Sequence, residues 1–383
     1  MRRSILTQVF SGDRVFLSIV FILAIGGVAI FSSATLGLLT QANTNVTRMI
    51  ITQIVFGLGG GIIAFATFRI ISISLLRKVA PWLFGLSLLL TILVFIPGLG
   101  VYAYGATRWL NLKFITLQPA EFLKVGVVLF VAWFLARNTK RLSEYKYGLL
   151  PFLGIIGAPA LVLIKQPNTS TILLIGVTAV AMYFVAGAPK RDIGILALLS
   201  ILLLGAVVFT HPYILKRFNT FVYPTNVSKL KGGYQIRQSL IAIGNGGITG
   251  RGFGESVQKF SYLPDPTGDS IFSVYAEEFG FAGTMILVLL FFSLAARGIY
   301  ISARSHDRFS AYAALGFSVL IATQAFINMG AMLKVIPLTG LPLPFISHGG
   351  TALLVVLAES GFILNVAAHN NKKKAKGIIP VST

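Results

Sequence analysis

The chain has 383 residues, of which 55% are hydrophobic and only 11% charged, and its mean hydropathy is +0.83. Soluble domains carry about twice that share of charge, so the composition excludes a soluble globular protein and points to a polytopic membrane protein. The 32 Lys and Arg against 11 Asp and Glu give a net charge of +21, but they are scattered between apolar segments, which argues against a nucleic-acid partner; the lack of Cys excludes disulfides and thiolate metal sites.

A spanning helix needs roughly 20 apolar residues, and about ten segments qualify. They lie near 15–37, 49–71, 79–101, 119–136, 148–165, 167–187, 192–210, 270–296, 309–332 and 350–368. The first follows Arg14 without a small-residue cleavage site, so it reads as a retained helix rather than a signal peptide. Alternate connections hold most of the basic residues, among them Arg2, Arg3, Arg69, Arg77, Lys78, Arg137, Lys140, Arg141, Lys190, Arg191, Arg297 and Arg304. The opposite short connections hold Arg48, Arg108, Lys113, Lys165 and Lys334. The positive-inside rule therefore places both termini in the cytoplasm, with the basic tail 369–383 against anionic lipid headgroups. The expected architecture is an all-α, multi-pass single transmembrane domain, 1–383, with one large extracytoplasmic loop, 211–269, between helices 7 and 8.

In chain order, the first polar feature is "GATRWLNL" (105–112), where Trp109 suits the membrane interface and Arg108 offers a planar guanidinium suited to phosphate. "LQPAEFLK" opens a helix at Pro119; Glu121 and Lys124, three apart, share a face and can pair, unless Glu121 merely caps the helix start. "IKQPNTS" (164–170) repeats the Gln-Pro opening, with Asn168 after it. In the long loop, "YQIRQSLIAIGNGGITGRGFG" (234–254) reads as an amphipathic helix and a glycine-rich turn packed on the outer membrane surface. "SYLPDPTGDS" (261–270) then sets Asp265 and Asp269 directly before a span, where Asp269 could simply cap the helix. Glu277 and Glu278 follow on that helix and, with Asp265, Glu121 and Lys124, make up a structural polar network; Glu359 stands alone in the last span. "PLTGLPLPFISHGGTALL" (337–354) is rich in Pro and Gly and suits a re-entrant turn; its His348 has no second His or carboxylate at ligand spacing, so no metal site is indicated there.

These motifs together, in order over nearly the whole chain, resemble the SEDS family (shape, elongation, division and sporulation) of FtsW/RodA-type peptidoglycan glycosyltransferases. "ESVQKFSYLP" and "GDSIF" look closer to its FtsW-type division members than to its RodA-type elongation members. The resemblance implies a lipid II polymerase in the bacterial cytoplasmic membrane, acting on its outer face and at the division septum, with Asp269 as the essential acidic residue. It also implies a class B penicillin-binding protein transpeptidase and other divisome proteins as partners. Departures from the family pattern are Asp265 for the usual Glu, Asn168 for Asp, and His348 and Thr351 for Tyr and Ser.

Glycan extension needs a sugar hydroxyl to attack an anomeric carbon whose leaving group is a lipid pyrophosphate, with inversion. One carboxylate can take the hydroxyl proton, as the base does in inverting glycosidases. The pyrophosphate leaves as an anion and calls for positive charge rather than an acid. Arg108, Lys113, Arg237, Arg251, Lys259 and Lys334, with Ser347, are the candidate contacts. Such chemistry is compatible with Mg²⁺ or Mn²⁺, but no ligand cluster identifies a site. A lipid II flippase, a non-catalytic scaffold and an elongation-type polymerase are the alternatives; a flippase would show interrupted helices paired across two halves.

Overall fold

The computed structural model describes residues 12–39, 46–103, 105–111, 116–210, 217–218, 221–222 and 231–375. Lys113, Arg2, Arg3, most of 211–230 and the end of the basic tail lie outside the described residues. Helix α1 is Arg14–Leu36. A second span, Val46–Ile70, consists of α2 (Val46–Ile51), a π-helical stretch (Thr52–Gly59) and α3 (Gly60–Ile70). Then come α4 (Ile73–Leu93), strands β1 (Gly100–Ala103), β2 (Ala106–Asn111) and β3 (Thr116–Leu117), and α5 (Pro119–Asn138). The chain continues through α6 (Leu149–Lys165), α7 (Thr169–Val185), α8 (Lys190–Thr210), α9 (Lys231–Asn245), α10 (Ile271–Ala303), α11 (Arg308–Met332) and α12 (Gly350–Ala375). Among the described residues 7 helical segments are long and apolar enough to cross a membrane, α6 and α7 are shorter apolar helices, and α8 adds 21 residues, as expected of a bundle of about ten spans.

The third span ends earlier than hydropathy predicts, at Leu93 rather than near 101. Pro97 and Gly98 turn the chain into a small antiparallel sheet in the order β1-β2-β3. Its register skips a residue: Val101 pairs with Trp109 but Tyr102 with Thr107, leaving Arg108 as the bulged residue of β2.

Burial separates the helices. Inside the protein lie 78% of the best apolar window of α5, 67% of that of α11 and 89% of that of α12, against 22% for α4, so α5, α11 and α12 form the centre and α4 faces lipid. Small residues allow close packing: Gly61 of α3 abuts the backbone of Leu353 and Leu354, and Gly361 of α12 abuts the carbonyl of Phe65. At one end of the bundle Asp13 caps α1 through the Phe16 amide at 2.9 Å and pairs with Arg297 at 2.7 Å. Asp307 likewise caps α11 and pairs with Arg77; burial pushes its carboxyl up, but the hydrogen bonds from the Ser310 hydroxyl and amide, and after them Arg77, hold it below the usual range.

Helix α10 is not one continuous span. Gly280 breaks it with φ 65° and ψ −166°, leaving a short segment 271–279 ahead of the long apolar run. The glycine-rich turn after α9 is spliced into that break: the amides of Arg251 and Gly252 donate to the carbonyls of Glu277 and Glu278 at 3.0 Å, and those of Phe281 and Ala282 to the carbonyls of Gly247 and Ile248 at 2.8 and 3.0 Å. A Cβ on Gly280 would lie 2.3 Å from the Gly250 nitrogen, so only glycine fits there. Helix α9 therefore docks on the bundle, burying Ile236, Ser239 and Ala242 against α10 and α11 instead of only lying on a membrane surface.

Candidate active site

Residues 265–270 form a tight turn into α10. Asp265 has φ 47°, a left-handed conformation that Asp tolerates, and its carbonyl accepts the Gly268 amide at 3.1 Å. Its side chain folds back over Gly268, where a Cβ would fall 2.0 Å from Asp265 Oδ2. Three consecutive carbonyls then fix the turn. That of Thr267 accepts the His348 amide at 2.7 Å, that of Gly268 the Ser347 hydroxyl at 2.7 Å, and that of Asp269 the Asn328 side-chain amide at 2.8 Å. The same Asn328 nitrogen donates to the Leu341 carbonyl at 2.8 Å, and Gln53, from the π-helical stretch, grips the Ser347 carbonyl and the Gly349 amide. The Pro- and Gly-rich segment thus serves as the mould for the acidic turn.

The backbone is immobilised on every side, yet the carboxylates stay accessible: Asp265 is exposed and Asp269 half-buried, although protein surrounds both closely. Both therefore sit in a recess of the surface that solvent still reaches. Helix α10 begins without any side-chain cap, so the capping role open to Asp269 is not used. Its Oδ1 instead accepts Gln235 Nε2 from α9 at 3.0 Å, and Gln235 also donates to the Ser270 hydroxyl at 2.9 Å. Burial first, then the like charge of Asp265, pushes the Asp269 carboxyl up to about 7, while Gln235 and Arg217 oppose the rise. Asp265 is also raised, by burial. Arg217 Nη1 reaches the Thr339 carbonyl at 3.2 Å, which also accepts the Ser170 hydroxyl at 2.6 Å. A Cβ on Gly340 would sit 3.7 Å from Arg217 Nη2 and 3.9 Å from Asp269 Oδ2, so that cation and the carboxylate flank one glycine.

The other candidates separate. Arg108, re-aimed by the bulge, donates Nε to the Gln166 carbonyl at 3.2 Å and Nη2 to that of Pro167, clasping the hairpin to the end of α6. Lys259 is fully buried, and its ammonium spends its protons on Glu278 at 2.8 Å, Ser33 at 2.9 Å and the Gly254 carbonyl at 2.7 Å. It is a structural ion pair rather than a cation free for pyrophosphate, because no donor remains. Ser347 is likewise buried and spent on the acidic turn. Glu277 accepts the Ser256 hydroxyl at 2.5 Å and the Gln258 amide at 3.2 Å, with Arg251 4.0 Å away. Thus Glu277 and Glu278 hold the loop 254–259 and do not face Asp269. Arg237 and Arg251 are exposed and Lys334 half-buried, and Arg237 and Lys334 have no side-chain partner among the described residues. Glu121 and Lys124 pair at 2.8 Å inside the bundle, with Lys124 also donating to Gln324 at 2.7 Å. Asn168 Oδ1 accepts the Thr171 hydroxyl at 2.8 Å. Among the described residues no cluster of three or more His, Cys, Asp and Glu forms a metal site. Gln235, Asn328 and Arg217 escape a sequence reading, because an amide in a helix or one cation among several in a loop carries no motif.

Fold and site define a polytopic membrane protein that presents a paired-carboxylate turn at one end of a helical bundle. The chain belongs to the FtsW/RodA/SpoVE branch of cell cycle proteins, the SEDS family, whose family model matches residues 13–372. It is 38% identical to the stage V sporulation protein E of Bacillus subtilis (strain 168) over 281 residues, 73% of this chain and 76% of that protein. It is 35% identical to a probable peptidoglycan glycosyltransferase FtsW of Alcanivorax borkumensis over 370 residues, 95% of each. Among solved structures, a chain of a peptidoglycan synthase complex described as coordinating polymerization and crosslinking matches with a TM-score of 0.75 at 28% identity, covering 94% of this chain and 98% of that one. The rod shape determining protein RodA of Thermus thermophilus matches with a TM-score of 0.63 at 27% identity, covering 93% and 97%. These sequence relatives carry FtsW and sporulation names, in keeping with the FtsW-type motifs.

Proposed function

We propose that the chain is a peptidoglycan glycosyltransferase that polymerises lipid II into β-1,4 glycan strands, with Asp269 as general base. The observation that carries this reading is the Asp269 carboxylate itself: rigidly presented, uncapped, open to solvent and shifted to about 7, where it is basic enough to take a hydroxyl proton and ionised in much of the population at neutral pH. Asp265 raises that basicity through its charge. Arg217, facing Asp269 across Gly340, takes the place of Lys259 as the candidate cation for the departing pyrophosphate, with the exposed Arg237 and Arg251 and the half-buried Lys334 in reserve. The recess lies on the extracytoplasmic side in this reading, because the ends opposite it carry Arg77, Arg297 and Arg69, and both termini are then cytoplasmic.

The partner is a class B penicillin-binding protein transpeptidase at the division septum. A lipid-facing groove between α10 and α11, lined by Ala295, Ile299, Thr323, Phe326, Gly330 and Val335, suits the single apolar span of such a protein, since small residues let a helix approach closely.

Reconstitution of the purified chain with lipid II tests the activity. Wild type should form polymer, and Asp269→Asn, which cannot take a proton but has no capping role to lose, should fall on the order of 10²-fold or more while remaining folded. Lipid translocated without polymer would instead identify a flippase, and full synthesis by folded Asp269→Asn protein would remove the base.

A further inference from the structure

Helices α5, α11 and α12 bring Glu121, Lys124, Gln324 and Glu359 around one small cavity beneath the segment Leu343–Ser347. Lys124 sits between Glu121 at 2.8 Å and Gln324 Oε1 at 2.7 Å. Glu359 is 3% exposed, and its Oε1 is buried with no hydrogen-bond partner. The one ammonium in the cavity lining is paired with Glu121, so that pair is already neutral, and Glu359 makes no ion pair among the described residues. The charged groups that line the cavity with Glu359 are Glu121 and Lys124, both from α5; α11 contributes Gln324, the overlying segment Ser347, and the adjoining α3 meets α12 through Gly60 and Gly61. An ionised Glu359 would be an uncompensated charge inside a membrane bundle, and a proton removes it. The space is enough for about one water molecule and is polar enough to hold it.

We propose that this cavity is a binding site for one water molecule, held by a proton-bearing Glu359 against the Glu121–Lys124 pair, and that Glu359 positions the acidic turn through it. Lys124 orients Gln324, whose Nε2 donates to the Pro342 carbonyl at 2.9 Å. One turn further along α11, Asn328 holds the Leu341 and Asp269 carbonyls. Two sets of hydrogen bonds, joined by the Leu341–Pro342 backbone, thus connect the cavity to the backbone of the acidic turn. An ionised Glu359 would compete with Glu121 and Gln324 for the Lys124 ammonium and slacken that connection.

The site stands independently of the activity; only the kinetic arm of its test rests on the glycosyltransferase reading. Infrared spectra in lipid at neutral pH, taken on the full chain carrying Asp265→Asn and Asp269→Asn so that the raised carboxyls of the turn do not contribute, should show a protonated-carboxyl carbonyl band that disappears when Glu359→Gln is added. In lipid II polymerisation, Glu359→Met should lower kcat about tenfold with KM unchanged, the worth of one lost hydrogen bond, while Glu359→Gln, which still donates, should lose no more than about threefold. In the background without the Asp265 and Asp269 carboxyls, a missing band or a band that survives Glu359→Gln overturns the proposal, as do equal kinetic losses in Glu359→Met and Glu359→Gln. If Glu359→Gln does not fold, Glu359→Met carries the spectral comparison. If wild type makes no polymer, the glycosyltransferase reading fails while the band still decides the site: a frequency lowered by hydrogen bonding supports a water on Glu359, which has no protein partner at Oε1, and the high frequency of a free carboxyl overturns it.

Discussion

Gln235 of α9 donates to Asp269 Oδ1 at 3.0 Å, the one hydrogen bond from another residue's side chain to that carboxylate among the described residues. It joins the mid-loop helix to the acidic turn and stabilises the charged form of the carboxyl against burial and the neighbouring charge of Asp265. The long loop therefore does more than carry Asp269; it also returns to tune it.

Activity should depend on pH accordingly. The base must be ionised, so polymerisation should be full above about 7 and fall as pH drops through that value. Asp265→Asn removes the like charge and should move the acidic limb to lower pH, leaving the contribution of burial; Gln235→Leu removes the stabilising bond and should move it higher. The pH profile of kcat/KM for lipid II checks both, and shifts in the same direction would contradict the assignment.

Lys259 should behave as a structural residue. Lys259→Met leaves Glu278 buried without its cation, a loss of about 3–5 kcal/mol, and the double variant Lys259→Met with Glu278→Leu should recover part of it. Thermal unfolding in detergent measures the difference. A fully stable single variant with lost polymerisation would return Lys259 to the substrate.

Arg108 is predicted to act through the hairpin. Arg108→Lys cannot reach two carbonyls with one planar fork, so the protein should lose about 1–2 kcal/mol of stability and unfold at lower temperature, with polymerisation reduced only in proportion to the folded fraction. A severe loss of activity in a protein that melts normally would instead place the guanidinium on pyrophosphate.

The topology is directly testable because the chain has no Cys. Glu255 is exposed, so Glu255→Cys should react with an impermeant thiol reagent from the extracytoplasmic side of intact cells. Reaction only from the cytoplasm would invert the bundle.

Much of the architecture was legible in the sequence because hydropathy is a local, additive property. Runs of apolar residues placed the spans, and the spacing of Glu121 and Lys124 anticipated their ion pair. The carboxylates of the acidic turn could be named from their motif. Hydropathy overran at 94–101, where Pro97 and Gly98 end a helix amid apolar residues, and it read α10 as continuous because a glycine break changes backbone angles without changing polarity. Which charges converge was decided only by tertiary packing. Lys259 and Arg217 look alike as loop cations, yet one ends in a buried pair with Glu278 and the other beside Gly340, because the turn after α9 is spliced into the break at Gly280 and carries its neighbours with it. Glu359 and Lys124 lie far apart in the chain and line one cavity, since the cost of a charge in a bilayer drives polar groups to the central helices α5, α11 and α12.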